Sequence, residues 1–279
     1  MDLKSGESRE FPGTDGVDPH AISALPDDKS AVFCTSSTVA IAGARARTIY
    51  KMDPGWIRTA FAVSEDGQHA VVGEANPSAG RLQLLPLLKG SPVTLLEATS
   101  GVLFAATRPK RAALLYGRED GLWLIHYDGQ GNRKLKTPPG KIPAAQWSAD
   151  GRSILYLLLP SESGRLHELR ELTPDSNEDR LLARTSQFIS FARNADDTVF
   201  VGISASKASP YVLLLLRSAR RELTIAEHAS SEAGKVAVHF SPNSQKVFYD
   251  SDREGRSAIY SMDVAKFVES TDSESQDRT

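Results

Sequence analysis

Apolar positions along the chain fall in short runs, such as AVFC from Ala31, ILYLLL from Ile154, YVLLLL from Tyr211 and Val247-Phe248-Tyr249 within HFSPNSQKVFYDSDREGRSAIYSMDV. Each run is stopped by a polar cluster holding Asp, Asn, Gly or Pro. Runs of this length, rich in β-branched and aromatic residues and bounded by turn formers, predict β-strands. In the last stretch, His239 to Val264, the turns Pro242-Asn243-Ser244 and Asp252-Arg253-Glu254-Gly255 separate three such strands.

The unit recurs. QWSADGRSILYLLL from Gln146, FAATRPKRAALLYGREDGLWLIHYDG from Phe104 and FAVSEDGQHAVVGE from Phe61 repeat it clearly, and ISALPDDKSAVFCT from Ile22 and SFARNADDTVFVGIS from Ser190 more weakly. The turn anchors are Asp27, Asp66, Pro109, Asp150, Asp196 and Asn243, spaced 39, 43, 41, 46 and 47 residues apart. A period in the forties with four strand-like runs, for example Leu122 to His126 and Arg133 to Lys136 after the turn-flanking pair, is that of a propeller blade. The expected fold is all-β, a β-propeller of about six four-stranded blades, with a seven-bladed propeller carrying an incomplete first blade as the alternative. Six residues before the anchors stand Ala21, Ala60, Leu103, Ala144, Ser190 and Ala237, and one residue further on stand Ile22, Phe61, Phe104, Ala145, Phe191 and Val238. Small residues on one face and mostly large ones on the other fit blades packed face to face.

The expected domain is a single propeller over 1–268, followed by an acidic, Ser-rich tail at 269–279 expected to be disordered. A strand at Glu7 to Phe11 would supply the fourth strand that the last blade lacks, closing the ring and covering an open sheet edge. The balance of 33 basic and 35 acidic residues gives no footprint for nucleic acid. No apolar run approaches the roughly 20 residues of a membrane span. The chain is expected to be a cytoplasmic monomer, or periplasmic if an export signal precedes it. Cys34, the one cysteine, excludes internal disulfides and reads as a small buried hydrophobe. The basic cluster Arg217 to Arg221 reads as a solvated turn.

Local chemistry is sparse. The six histidines show no metal-motif spacing, GQGNRK from Gly129 lies between two strands and so is a hairpin turn, and no Gly-x-Ser-x-Gly elbow exists. Propellers bind ligands at the mouth of the central channel, where first strands begin, and six residues are candidates for that funnel: His20, Arg58, Gln146, Gln187, Lys235 and His239.

The stretch from His239 to Val264 resembles the TolB propeller repeat, in which F-S-P-D-G is followed by a strand, S-D-R-x-G, and a strand ending I-Y-x-M-D. SDREGRSAIY, TIYKMDPGWIRTAFAVSEDG from Thr48 and MDLKSGESREF are similar to oligogalacturonate lyases, propellers that cleave pectin fragments by β-elimination. That resemblance implies a manganese ion and a histidine base. The base position falls on Ala144, and the metal-ligand positions fall on Gln187, Glu232, Lys235 and Ala237. Ala, Gln and Lys cannot rebuild an imidazole metal site or a His base. The expectation is therefore no catalytic residue, no metal and no cofactor, in a non-catalytic module binding a protein partner or an anionic oligosaccharide. The alternative is a carbohydrate lyase or hydrolase with a non-standard site in the funnel. Lys235 near His239 would make that funnel mildly cationic, suited to a uronate.

Overall fold

The structure, a computed structural model, describes residues 11–14 and 17–268. Six sheets form, each an antiparallel meander whose strands pair in chain order. Blade 1 holds Ile22–Ala24, Ala31–Cys34, Thr38–Ala42 and Ala46–Lys51; blade 2 holds Ile57–Val63, His69–Ala75, Gly80–Pro86 and Val93–Ala98. Blade 3 holds Phe104–Thr107, Ala113–Arg118, Gly121–His126 and Arg133–Lys134; blade 4 holds Gly140–Trp147, Ile154–Pro160, His167–Thr173 and Glu178–Thr185. Blade 5 holds Phe188–Arg193, Val199–Ser204, Tyr211–Leu216 and Arg221–Glu227; blade 6 has three strands among the described residues, Val238–Phe240, Lys246–Ser251 and Ala258–Asp263. Six successive meanders, five of four strands and one of three among the described residues, are the blades of a β-propeller. The chain divides into two compact units, 1–135 with blades 1 to 3 and 136–279 with blades 4 to 6. The strand expected at Glu7 to Phe11 falls, except for Phe11, outside the described residues, and so does the tail at 269–279. Phe11 packs on Phe33, Ala40 and Ala42 of blade 1.

The turn joining the first two strands is built alike in every blade. The residue after each anchor is left-handed: Asp28 (φ 54°), Gly67 (66°), Lys110 (57°), Gly151 (68°), Asp197 (62°) and Ser244 (59°). Glycine is the default there, and Asp, Lys and Ser hold the conformation in the other four blades because the turn is tied down around them. Anchor carboxylates do the tying: Asp66 accepts from Gln68 N and Ser64 Oγ, Asp150 from Arg152 N and Ser148 Oγ, and Asp27 from the amides of Lys29 and Ser30. Asn243 and Asp196 act likewise. Blade 3 alone lacks an anchor acceptor, and Pro109 fixes its turn instead, closed by Arg111 N donating to Arg108 O at 3.4 Å.

The second strands of blades 1 to 5 are buried on both faces, as Ala31–Cys34, His69–Ala75 and Val199–Ser204 show, whereas that of blade 6, Lys246–Ser251, alternates buried with half-buried residues, and fourth strands such as Ala46–Lys51 are largely exposed. Neighbouring blades within a unit share cores. Ala60 of blade 2 lies with Val71, Leu82, Leu114 and Tyr116 across blades 2 and 3, and Phe188, Phe200, Leu155 and Leu157 join blades 4 and 5. Ala21, Ala60 and Ala237 are buried as the small face requires, Ala144 and Ser190 are half-buried, and Leu103 departs from the pattern at 52% exposed. Cys34 is fully buried, and burial pushes its thiol up to about 12, so it stays a neutral hydrophobe.

A second small position emerges from the packing. Gly117 and Gly202, on the second strands of blades 3 and 5, lie directly under the Phe104 and Phe188 rings, where an added Cβ would overlap ring carbons. Gly202→Ala is expected to lower stability by about 1–3 kcal/mol through overpacking. Gly234→Ala, whose Cβ meets nothing within 4 Å, should shift it by no more than about 0.5 kcal/mol. Urea midpoints for the two variants measure the difference; equal midpoints would show that the ring moves aside freely.

Candidate ligand-binding site

The six candidates are distributed differently from the sequence expectation. His20 is not in a first strand: Asp18 caps a 3-10 turn at Pro19–Ala21 by accepting from His20 N at 3.0 Å, and the strand begins only at Ile22. Arg58, the second residue of its strand, donates from Nη2 to the same carboxylate at 2.9 Å, so Asp18 joins the two candidates of the first unit. Burial raises the Asp18 pKa, but the bonds from His20 N and Arg58 outweigh it and the group stays below the ordinary carboxylate value.

In the second unit Gln187 precedes the first strand of blade 5, with its amide oxygen buried and without a partner among the described residues. Lys235 stands in a 3-10 turn at Ala233–Lys235 ahead of blade 6, exposed and ion-paired with Glu232. Gln146 corrects the sequence reading, since it is next to last in its strand rather than near the start. The strand begins at Gly140, and a register shift between Lys141 and Ala144 lengthens it.

That position brings Gln146 to His239. Both line a cavity of about 290 Å³ where the first strands of blades 4, 5 and 6 end, at the opposite end of those strands from the expected mouth. Arg193 and Asn194 complete its polar wall. Arg193 is held in place: Nε donates to Trp147 O at 3.0 Å, Nη1 to Asn194 O at 3.1 Å, and Asp197 lies 3.2 Å away. Asn194 Oδ1 accepts from Thr198 N and Val199 N. Sequence reasoning missed these two because in SFARNADD they occupy the ordinary positions before a turn. The cavity thus offers an amide, a fixed guanidinium and an imidazole, and no carboxylate lines it.

The residues at the positions that the lyase resemblance assigns to manganese do not fit the ion. Glu232 is taken by Lys235, the amide of Ala237 donates to Asp250 Oδ1 at 2.5 Å, and Gln187 offers one neutral oxygen. An ammonium, a methyl and a single amide are not a donor set for a divalent cation. Ala144, at the base position, carries no proton acceptor in its side chain.

The stretches that carry the resemblance have structural duties. In SDREG, Ser251 Oγ donates to His228 O, Asp252 accepts from Ser231 N at 2.8 Å and from the Ser230 and Ser231 hydroxyls, Arg253 donates to Glu227 O and lies 3.8 Å from the Tyr260 ring centroid, and left-handed Gly255 closes the turn onto Asp252 O. This network fastens the segment leading to Glu232 and Lys235. In TIYKMDPGWIRTAF, Tyr50, Asp53 and Trp56 gather around Arg81, whose guanidinium also pairs with fully buried Glu74 at 2.6 Å. Burial, reinforced by Glu74, pushes the Tyr50 hydroxyl up to about 12.

No protein-family model matches the chain. An oligogalacturonide lyase of Pectobacterium atrosepticum is 25% identical over 171 residues, covering 53% of this chain and 44% of that protein, so the likeness spans less than half of the relative. Among solved structures, an oligogalacturonate lyase in complex with manganese superposes with TM-score 0.76 at 16% identity over 87% of this chain and 76% of the other. The oligogalacturonate lyase of Vibrio parahaemolyticus gives 0.76 at 18% over 88% and 77%, and TolB of Acinetobacter baumannii 0.62 at 14% over 88% and 60%. The chain is a β-propeller. Its structural neighbours include oligogalacturonate lyases and TolB, with weak sequence similarity to an oligogalacturonide lyase. Among the described residues no helix is long and apolar enough to cross a membrane.

Hydrogen bonds from Ser231 and Ser230 hold the Asp252 carboxyl down to about 2. A depressed carboxylate contributes stability that is fully present above its unfolded value, 3.8, and lost as pH falls through the folded one. The parent should therefore lose more stability between pH values of about 4 and 2 than Asp252→Asn does, read from denaturant midpoints along that range. Parallel decline in both proteins would show that this tether contributes nothing.

Proposed function

We propose that the chain is a non-catalytic binding propeller that recognises an acidic oligosaccharide through the cavity of Gln146, Arg193, Asn194 and His239. One observation carries the reading: Arg193, held by the Trp147 and Asn194 carbonyls and paired with Asp197, is fixed before any ligand arrives, in a wall whose own lining residues include Gln146 and His239 and no acid. Preorganised donors lower the cost of binding a hydroxyl-rich, carboxylate-bearing sugar. Ala144 in place of a base, and Gln187, Glu232, Lys235 and Ala237 in place of metal ligands, support binding without cleavage. The similarity to oligogalacturonate lyases supplies the substrate class, which for this chain is part of the proposal.

His239 is exposed on the same wall and has an imidazole that can accept a proton, which favours a second reading, a metal-free lyase. Digalacturonate and trigalacturonate titrated calorimetrically into the parent and a Gln146→Ala, His239→Ala double variant, with absorbance of unsaturated product followed with and without manganese, separate the two. The binding reading predicts no product, and affinity that falls roughly tenfold in the variant with the loss of its hydrogen bonds. Product formation would establish the lyase, and equal heats from parent and variant would remove the cavity from the account.

A further inference from the structure

The first unit contains a larger cavity, of about 470 Å³, between the anchor turns of blades 2 and 3. One wall is the blade 3 turn, which carries Arg108, Lys110 and Arg111. The other includes His69 and Tyr127, whose rings lie 5.3 Å apart at 57°. In five blades the anchor side chain ties the turn, whereas in blade 3 Pro109 and the bond from Arg111 N to Arg108 O hold it, so the Lys110 and Arg111 side chains are not needed for that purpose. Lys110 and Arg111 are exposed and make no ion pair among the described residues. Two carboxylates from the blade 2 turn also line it: Asp66 accepts from Ser64 Oγ and Gln68 N, and Glu65 is exposed, so the three basic side chains outnumber the acids by one. Tyr127 Oη is buried without a hydrogen-bond partner among the described residues. Burial and the Asp66 charge push it up to about 12, so it remains a phenol able to donate.

We propose that this cavity binds a small ligand bearing an oxyanion, phosphate or carboxylate, on a flat apolar body. Arg108 and Arg111 supply forked donors matched to either oxyanion, and Lys110 adds a point charge. The ring-lined wall accommodates the flat part, and the volume lies within the range of small-molecule pockets and well above that of a lone inorganic anion. The site is separate in residues and in unit from the cavity of Gln146 and His239, so either can fail without the other.

The test uses the whole chain with three probes, inorganic phosphate, phenyl phosphate and benzoate, titrated at low and high salt. Phenyl phosphate or benzoate is expected to bind at least about tenfold more tightly than inorganic phosphate, and which of the two is tighter identifies the oxyanion. Raising salt from about 0.05 M to about 0.5 M should weaken binding several-fold. An Arg108→Gln, Arg111→Gln double variant with an unchanged melting temperature should lose at least about tenfold in affinity, and Tyr127→Phe about threefold. No saturable binding of any probe, equal affinity for phosphate and its phenyl ester with benzoate silent, or unchanged affinity in the arginine variant would overturn the proposal.

Discussion

The structure depends on second strands that are buried on both faces. Val199–Ser204 has no exposed residue, and Ala31–Cys34 likewise is wholly buried, because each packs its two faces against neighbouring layers. Such strands read as unbroken apolar runs rather than alternating ones, which is why VFVGIS and AVFC are continuous. Close packing then constrains what faces them. Gly202 and Gly117 admit the Phe188 and Phe104 rings, and Ala60 leaves room for Tyr116 and Leu114. With blade faces committed to packing, the two cavities described above lie at strand ends and turns.

The same economy gives the family-like motifs structural duties. Ser251, Asp252 and Arg253 use their polar groups on backbone and hydroxyl partners of the preceding segment, and Tyr50, Asp53 and Trp56 use theirs on Arg81. Glu74 can be fully buried only because Arg81 meets it, since an unpaired carboxylate in that position would be costly. Glu232 and Lys235, on the segment fastened by Asp252, pair with each other.

Blade period and strand order were legible because anchors such as Asp66-Gly67 and Asp150-Gly151 have a local signature: an acceptor followed by a residue that can be left-handed. The candidate sites were less legible. The place of His20 ahead of its strand is not legible because the Asp18 cap that holds it there is a side-chain interaction rather than a composition signal. Gln146 moved to the far end of its strand because the irregularity at Lys141/Ala144 adds length that no pattern announces. The wall of Arg193 and Asn194, and the approach of Tyr127 to the Arg108 turn, join residues far apart in sequence. Glycines under aromatic rings escaped notice for a related reason, as which ring covers Gly202 is decided by packing.

Amide hydrogen exchange tests the central claim most directly. If burial of second strands on both faces holds each blade, amides in Val199–Ser204 and His69–Ala75 should exchange at least roughly tenfold more slowly than those in Arg221–Glu227 and Val93–Ala98 of the same blades. Protection as great in the fourth strands as in the second would contradict the account.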